Sequence, residues 1–374
     1  MEVAELTRGN NIRLLLTGGG TGGHLFPAVA TAQEFQKQFP GTTVLFVGTK
    51  RKVDTASLLN YGYESKTIDC HGVKGKNIVQ LIKAIVTLPR AYLQALRIIK
   101  EFRPDVILGV GGYVTGPVVS AGKSMGIPAV IHEQNSVPGL ANRKLGAIVN
   151  KICLSLPGSG DHFDQGKIVY TGNPVRSDIR ALAGQRTKAR GEKRTILILG
   201  GSQGAKAINE ILPSAIALLG AERIGSVKII HQVGDKDVDG VRDAYKACGV
   251  EAVVEPFFRK MELVYSQADL VVSRAGATTL AELSVLGKPA ILIPYPYAAD
   301  NHQEKNGQYY VLGGGALQFQ QKSLTAKKLG DVVAELLFDE TKLMNMSAAM
   351  KKLSFPDAPE RIVACCLEQI KGRR

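Results

Sequence analysis

Two stretches of this chain open in the same way: LLLTGGGTGG from Leu14 and ILILGGSQGA from Ile196. Each is an unbroken apolar run that passes directly into a glycine-rich turn and then an amphipathic stretch. Continuous apolar strands of this kind belong in parallel sheets covered by helices on both faces. The return of the pattern halfway along means two such sheets, and 374 residues are enough for both. The fold class is therefore α/β, with two Rossmann-like doubly wound domains.

Short apolar runs alternate with helical patterns throughout. The first half predicts strands at Ile12 to Thr17, Thr43 to Val47, Glu64 to Ile68, Val106 to Gly109, Ala129 to Ile131, Ile152 to Leu154 and Ile168 to Tyr170. The second predicts them at Thr195 to Leu199, Val227 to His231, Ala252 to Val254, Leu270 to Ser273 and Ala290 to Pro294. Thr171-Gly172-Asn173-Pro174 is turn chemistry. It sets the domain boundary: residues 1–172 form the first domain, 173–356 the second, and a last helix within 357–374 crosses back onto the first.

A glycine turn between strand and helix aims free backbone N–H groups and the positive helix end at one point, which suits phosphate. The first loop formally matches G-x-G-x-x-G at Gly18, Gly20 and Gly23, but the next strand ends in VGTKRK, without the acid that holds a nicotinamide dinucleotide's ribose. The second loop, Gly200 to Gly204, adds the hydroxyl of Ser202. A third run, GGYVTGP from Gly111, is equally a tight turn or a ligand loop. Glu282 follows SRAGATTLA as either a ribose-binding carboxylate or a solvated helix residue, and Asp300 to Glu304 reads as a polar loop after a strand end.

Other chemistries are poorly supported. No P-loop lysine motif and no G-x-S-x-G elbow occur. Asp235, Asp237 and Asp239 imitate a calcium loop whose twelfth position is Lys246, so they read as acids at a helix start. The six histidines lack ligand spacing, and no metal or cofactor is expected. Five cysteines without C-x-x-C fit a reducing compartment. With neither a leader pattern nor an apolar run of about 18 residues, the chain reads as soluble or peripheral. The formal charge of +14 calls for an anionic partner. Nucleic acid is disfavoured, because tryptophan is absent and aromatics make up 6%.

In order, GGGTGGH, GGYVTGP, HEQNSVPG, GNPVR, GGSQGA, SRAGATTLAE and DNHQ resemble the motif series of the MurG family of glycosyltransferases. The resemblance runs from Leu14 to about Gly307. It implies a GT-B architecture, with the two domains facing an interdomain cleft. It implies inverting transfer of N-acetylglucosamine from UDP-N-acetylglucosamine to the 4-hydroxyl of a muramoyl sugar carried as undecaprenyl-pyrophosphoryl-N-acetylmuramoyl-pentapeptide. Alternatives are a diacylglycerol glycosyltransferase and a nonhydrolysing UDP-N-acetylglucosamine 2-epimerase.

The resemblance assigns donor binding to Thr21, Gly22, Gly23, Asn135, Arg176, Ser202, Ala277, Thr278, Thr279, Leu280, Ala281, Glu282 and Gln303. Phe258 falls where the family reads uracil through the main chain. His24 and Glu133 are the alternative general bases. Imidazole titrates near neutrality, which suits it to take a proton from a sugar hydroxyl.

A lipid acceptor implies a peripheral site on an anionic membrane at the cytoplasmic face. Gly112 and Tyr113, with Lys76, Ile82 and Lys83, are the acceptor and membrane candidates. Ile78, Leu81, Ile82, Ile85 and Val86 recur at helical spacing among lysines and arginines between Lys74 and Arg103. Such a stripe is either core or membrane patch.

Overall fold

The computed structural model describes residues 11–19, 22–49, 58, 61–70, 78–185, 193–201 and 204–373, with backbone alone at 22 and 78–86. Its contacts divide the chain into two units, Met1–Ser177 with Phe355–Arg374, and Asp178–Ser354.

The first unit is built on β1 (Arg13–Thr17), β2 (Thr43–Gly48), β3 (Glu64–Thr67), β4 (Val106–Gly109), β5 (Ala129–Glu133), β6 (Lys151–Leu154) and β7 (Ile168–Tyr170). They pair in the order β3-β2-β1-β4-β5-β6-β7, and every pairing is parallel. The alternation of a strand divides the leucines of β1 between two cores. Leu14 and Leu16 meet Val29, Ala32 and Phe35 of the helix Gly22–Gln38, while Leu15 faces Ile99, Val118 and Val119 on the other side. All three leucines are fully buried, each contributing about 1.5–3 kcal/mol.

The C-terminal helix Ala358–Lys371 belongs to this unit, with Ile362, Val363 and Cys366 in the same core as Leu14. Gly172 makes room for its approach. Its φ is +78°, and a Cβ there would collide with the Phe355 side chain.

The second unit repeats the design with β8 (Arg194–Leu199), β9 (Val227–Gln232), β10 (Glu251–Glu255), β11 (Leu270–Ser273), β12 (Ala290–Leu292) and β13 (Ala316–Gln318), all parallel in the order β10-β9-β8-β11-β12-β13. In both units the order reverses beside the first strand, between β1 and β4 and between β8 and β11. Ligand crevices form at the carboxyl ends of strands at such switch points, and both glycine loops emerge there.

Three expectations need correction. The edge strand β13 was not anticipated, because three residues after Gly313-Gly314-Gly315 give no periodicity to read. Strand β12 stops at Leu292, short of Pro294, whose missing N–H cannot extend a ladder. Asp300 to Glu304 is no simple loop. Asp300 and Asn301, with φ of 54° and 55°, end a 3₁₀ turn, and His302 starts the helix His302–Leu312.

The helix Ile78–Phe102 ends at Arg103, whose φ is 52°, just before Pro104. Its second half is core: Ala91, Ala95, Ile98 and Ile99 are buried. The side chains of Ile82 and Lys83, and Lys76 entirely, lie outside the described residues. Among the described residues no helix is long and apolar enough to cross a membrane.

Candidate active site

In the first unit, three loops meet at the carboxyl ends of β1, β4 and β5. The loop after β1 leads into the helix Gly22–Gln38, which places His24 in its first turn. The loop after β4 packs against it closely enough to require glycine. Gly112 has φ of +85°, and a Cβ there would lie 2.6 Å from the Gly19 carbonyl oxygen. Thr115, at the start of the following helix, donates its hydroxyl to the Gly111 carbonyl at 2.8 Å and lies 3.3 Å from that of Thr17. Tyr113 contributes its carbonyl to the Cys70 thiol at 3.5 Å.

The third loop, HEQNSVPG, is folded around the Glu133 carboxylate, which is 2% exposed. Its Oε1 accepts from the Asn135 backbone N–H at 3.0 Å and the Asn135 side-chain amide at 3.2 Å. Its Oε2 accepts from the Gly139 N–H at 3.0 Å and Asn142 Nδ2 at 2.9 Å. Four donors occupy the acceptor directions of one carboxylate, so this group holds the loop in shape. His24 is differently placed. It is half-buried, and its Nδ1 lies 3.1 Å from Gln134 Oε1.

Arg176 lies in the first unit, where the domain boundary expected after residue 172 would have assigned it to the second. The GNPVR segment continues beyond β7 along the first unit. The guanidinium sits 4.5 Å above the Phe26 ring and donates to the Tyr61 hydroxyl at 2.9 Å.

In the second unit, the loop after β8 passes Gly201 and Gly204, with φ of 86° and 73°. Gly204 runs so close to β9 that a Cβ would strike the Val233 carbonyl oxygen. The helix Ala277–Leu286 follows β11 with Gly276 as its N-cap and no side-chain cap. Its first turns carry Ala277, Thr278, Thr279, Leu280 and Ala281, and then Glu282, which is 6% exposed. The buried Tyr265 hydroxyl donates to Glu282 Oε2 at 2.7 Å, so this glutamate belongs to a built polar site. Gln303, in the first turn of His302–Leu312, accepts the Tyr295 N–H at 2.9 Å.

Two residues of this unit escaped the sequence reading. Gln232, at the end of β9, accepts the Phe258 backbone N–H at 3.1 Å and donates to the Gly201 carbonyl at 3.2 Å, tying Phe258 to the glycine loop. Arg274 donates to the carbonyls of Ile293 and Pro294 and to Gln321 Oε1 at 2.7 Å, fixing the segment that precedes Tyr295. Their only sequence signal is position, each standing at or just past a strand's carboxyl end. Thr21 and Ser202 lie outside the described residues, and Gly22 is described by its backbone alone.

Asp237 stands at the N-cap position of the helix Val238–Ala247 without a side-chain capping bond, and Asp239 lies in its first turn, paired with Arg242 at 2.7 Å. Among the described residues, no group of three or more histidine, cysteine or acidic side chains could hold a metal ion.

Residues 14–154 match the glycosyltransferase family 28 N-terminal domain, and residues 195–362 match the glycosyltransferase family 28 C-terminal domain. The chain belongs to glycosyltransferase family 28. A relative in this family, the UDP-N-acetylglucosamine–N-acetylmuramyl-(pentapeptide) pyrophosphoryl-undecaprenol N-acetylglucosamine transferase of Desulfotalea psychrophila, is 53% identical over 96% of this chain and 97% of its own length.

Among solved structures, MurG of Acinetobacter baumannii superposes with a TM-score of 0.76 at 30% identity, covering 96% of this chain and 99% of that one. The family 28 chain thus has the GT-B fold, as two parallel-sheet α/β domains. A putative UDP-N-acetylglucosamine 2-epimerase from Listeria monocytogenes reaches 0.68 at 16% identity over 95% of this chain and 96% of its own, which is a likeness of fold alone.

Proposed function

We propose that this chain transfers N-acetylglucosamine from UDP-N-acetylglucosamine to undecaprenyl-pyrophosphoryl-N-acetylmuramoyl-pentapeptide, the glycosyl transfer that completes the lipid-linked disaccharide of peptidoglycan. The observation that carries this reading is the 53% identity, over nearly the full length of both chains, to a transferase named for that reaction. The epimerase alternative has a likeness of fold at 16% identity to support it.

The acceptor 4-hydroxyl attacks the donor's anomeric carbon as the bond from that carbon to the UDP oxygen breaks. The hydroxyl proton passes to His24, and the configuration inverts. We assign the base to His24 because the Glu133 oxygens are already engaged by four donors. General-base catalysis of this kind supplies about 10²–10⁴-fold.

Negative charge builds on the leaving diphosphate. Backbone N–H groups at the start of the helix Ala277–Leu286 suit that charge, as does the glycine loop after β8 with Ser202, and the resemblance also assigns Thr21, Gly22, Gly23 and Arg176 to the donor. Glu282 would receive the ribose hydroxyls and Gln303 the sugar, and Asn135 would contact the donor from the HEQN loop. The Phe258 main chain would read uracil in place of Gln232.

Gly112 and Tyr113, half-buried in the loop after β4, would meet the acceptor. The undecaprenyl tail places the reaction at the cytoplasmic membrane surface. The helix Ile78–Phe102 and the basic segment before it, with Lys76, Ile82 and Lys83, are the proposed contact with anionic lipid, each basic residue contributing about 1 kcal/mol.

The test is UDP release with the muramoyl lipid, with diacylglycerol and with no acceptor. Release with the muramoyl lipid alone is the expected result. Release with diacylglycerol, or donor epimerisation without acceptor, would point to the alternatives.

A further inference from the structure

A chain of hydrogen bonds behind His24 fixes where its proton sits. The chain can be read from groups whose direction is not in doubt. Gln134 Nε2 lies 2.9 Å from the Val110 carbonyl oxygen and 3.3 Å from that of His132. Carbonyl oxygens only accept, so this end of the Gln134 side chain is the NH₂ and the opposite end is the oxygen. That oxygen faces His24 Nδ1 at 3.1 Å, and an amide oxygen also only accepts. The proton of neutral His24 is therefore on Nδ1, and Nε2 carries the lone pair.

The arrangement extends one residue further. Gln134 Nε2 also lies 3.0 Å from His132 Nδ1, so its second hydrogen points to that nitrogen. His132 must then carry its own proton on Nε2, which lies 3.1 Å from the Gly172 carbonyl and 2.9 Å from Ser155 Oγ. Burial pushes His132 down to about 4, so at neutral pH it stays uncharged and its Nδ1 remains an acceptor. Gly111 completes the setting: a Cβ there would lie 2.9 Å from His24 Cε1, so the absence of a side chain lets the imidazole rest against the loop after β4.

We propose that Gln134 and His132 are positioning residues that hold His24 in the Nδ1–H tautomer, leaving Nε2 to take the proton of the attacking sugar hydroxyl. This rests on the assignment of His24 as the base. Free imidazole side chains favour the opposite tautomer, so without Gln134 the competent form becomes the minor one, and turnover falls with its population.

The test is two-bond ¹⁵N–¹H correlation of the histidine rings in ¹⁵N-histidine-labelled protein, at a mildly alkaline pH where imidazoles are neutral. There are six histidines, and the signal lost in His24→Gln assigns His24. The expected spectrum shows His24 protonated at Nδ1 in the native chain and shifted towards Nε2–H in Gln134→Leu, with kcat of that variant about tenfold lower and KM for UDP-N-acetylglucosamine within about twofold. A native His24 protonated at Nε2 overturns the proposal, as does an unchanged tautomer in Gln134→Leu. Should Gln134→Leu fail to fold, the native spectrum decides alone. Full activity in His24→Gln would remove the base assignment and leave the tautomer result standing, so the two failures are separable.

Discussion

Asn142 Nδ2 donates to Glu133 Oε2 at 2.9 Å, from nine residues away on the helix Leu140–Leu145, and so closes the HEQNSVPG loop onto its own carboxylate. The same Nδ2 lies 3.1 Å from the His132 carbonyl, which ties the clasp to the end of β5. In this arrangement Glu133 gives the loop its shape, and the shape presents Gln134 to His24.

Glu133→Gln replaces one acceptor oxygen with an NH₂ that must face an existing donor. The expected cost is about 1–3 kcal/mol of stability, seen as a lower melting temperature, with kcat reduced less than in His24→Gln. Thermal unfolding and initial rates measured on both variants check this. An unchanged melting temperature with kcat lost by about 10²-fold or more would make Glu133 the base.

Tyr265→Phe removes the hydroxyl that donates to Glu282 Oε2 at 2.7 Å between two buried side chains. Hydrogen bonds to charged groups contribute about 1.5–3 kcal/mol, and the loss removes one of the contacts that orient the carboxylate towards a ribose. UDP affinity is expected to fall about tenfold by titration calorimetry, while 2′,3′-dideoxy-UDP, lacking the hydroxyls, binds the variant and the native protein alike. Equal losses for both ligands would separate Glu282 from ribose recognition.

How much of this was legible beforehand follows from the physics of each element. Strands buried on both faces announce themselves, and the apolar runs at Leu14 and Ile196 led directly to β1 and β8. β13 was invisible, because three residues at a sheet edge carry no pattern. His24 and Glu282 were named through motifs. The proposed division of labour between His24 and Glu133 was not readable, since it depends on Asn142 and Gly139 folding back onto one carboxylate. Gln232 and Arg274 went unnoticed for the same reason: their partners, Phe258 and Gln321, are distant in sequence.

Acid should weaken the second unit through His231. Burial pushes this imidazole down to about 3, and its Nδ1 lies 3.0 Å from the Tyr245 hydroxyl. The unfolded chain takes up a proton near the ordinary histidine value of about 6.5. Between that value and about 3 the unfolded state therefore binds more protons, and stability falls as pH falls. From pH 7 to pH 5 the loss from this group is about 2 kcal/mol. Urea unfolding followed by tyrosine fluorescence, in a chain without tryptophan, reads it, and His231→Gln should flatten the slope. An equal slope in the variant would assign the acid sensitivity elsewhere.

The proposed reaction is an inverting transfer to the muramoyl lipid in which the protein's own amide dipoles receive the diphosphate charge. Its most direct measurement is NMR of the lipid-linked product made by the purified chain from UDP-[1-¹³C]-N-acetylglucosamine in the presence of EDTA. A single β-linked sugar on the 4-oxygen, formed one for one with UDP, is the expected product. An α-linked product, or no lipid-linked sugar under these conditions, would contradict it.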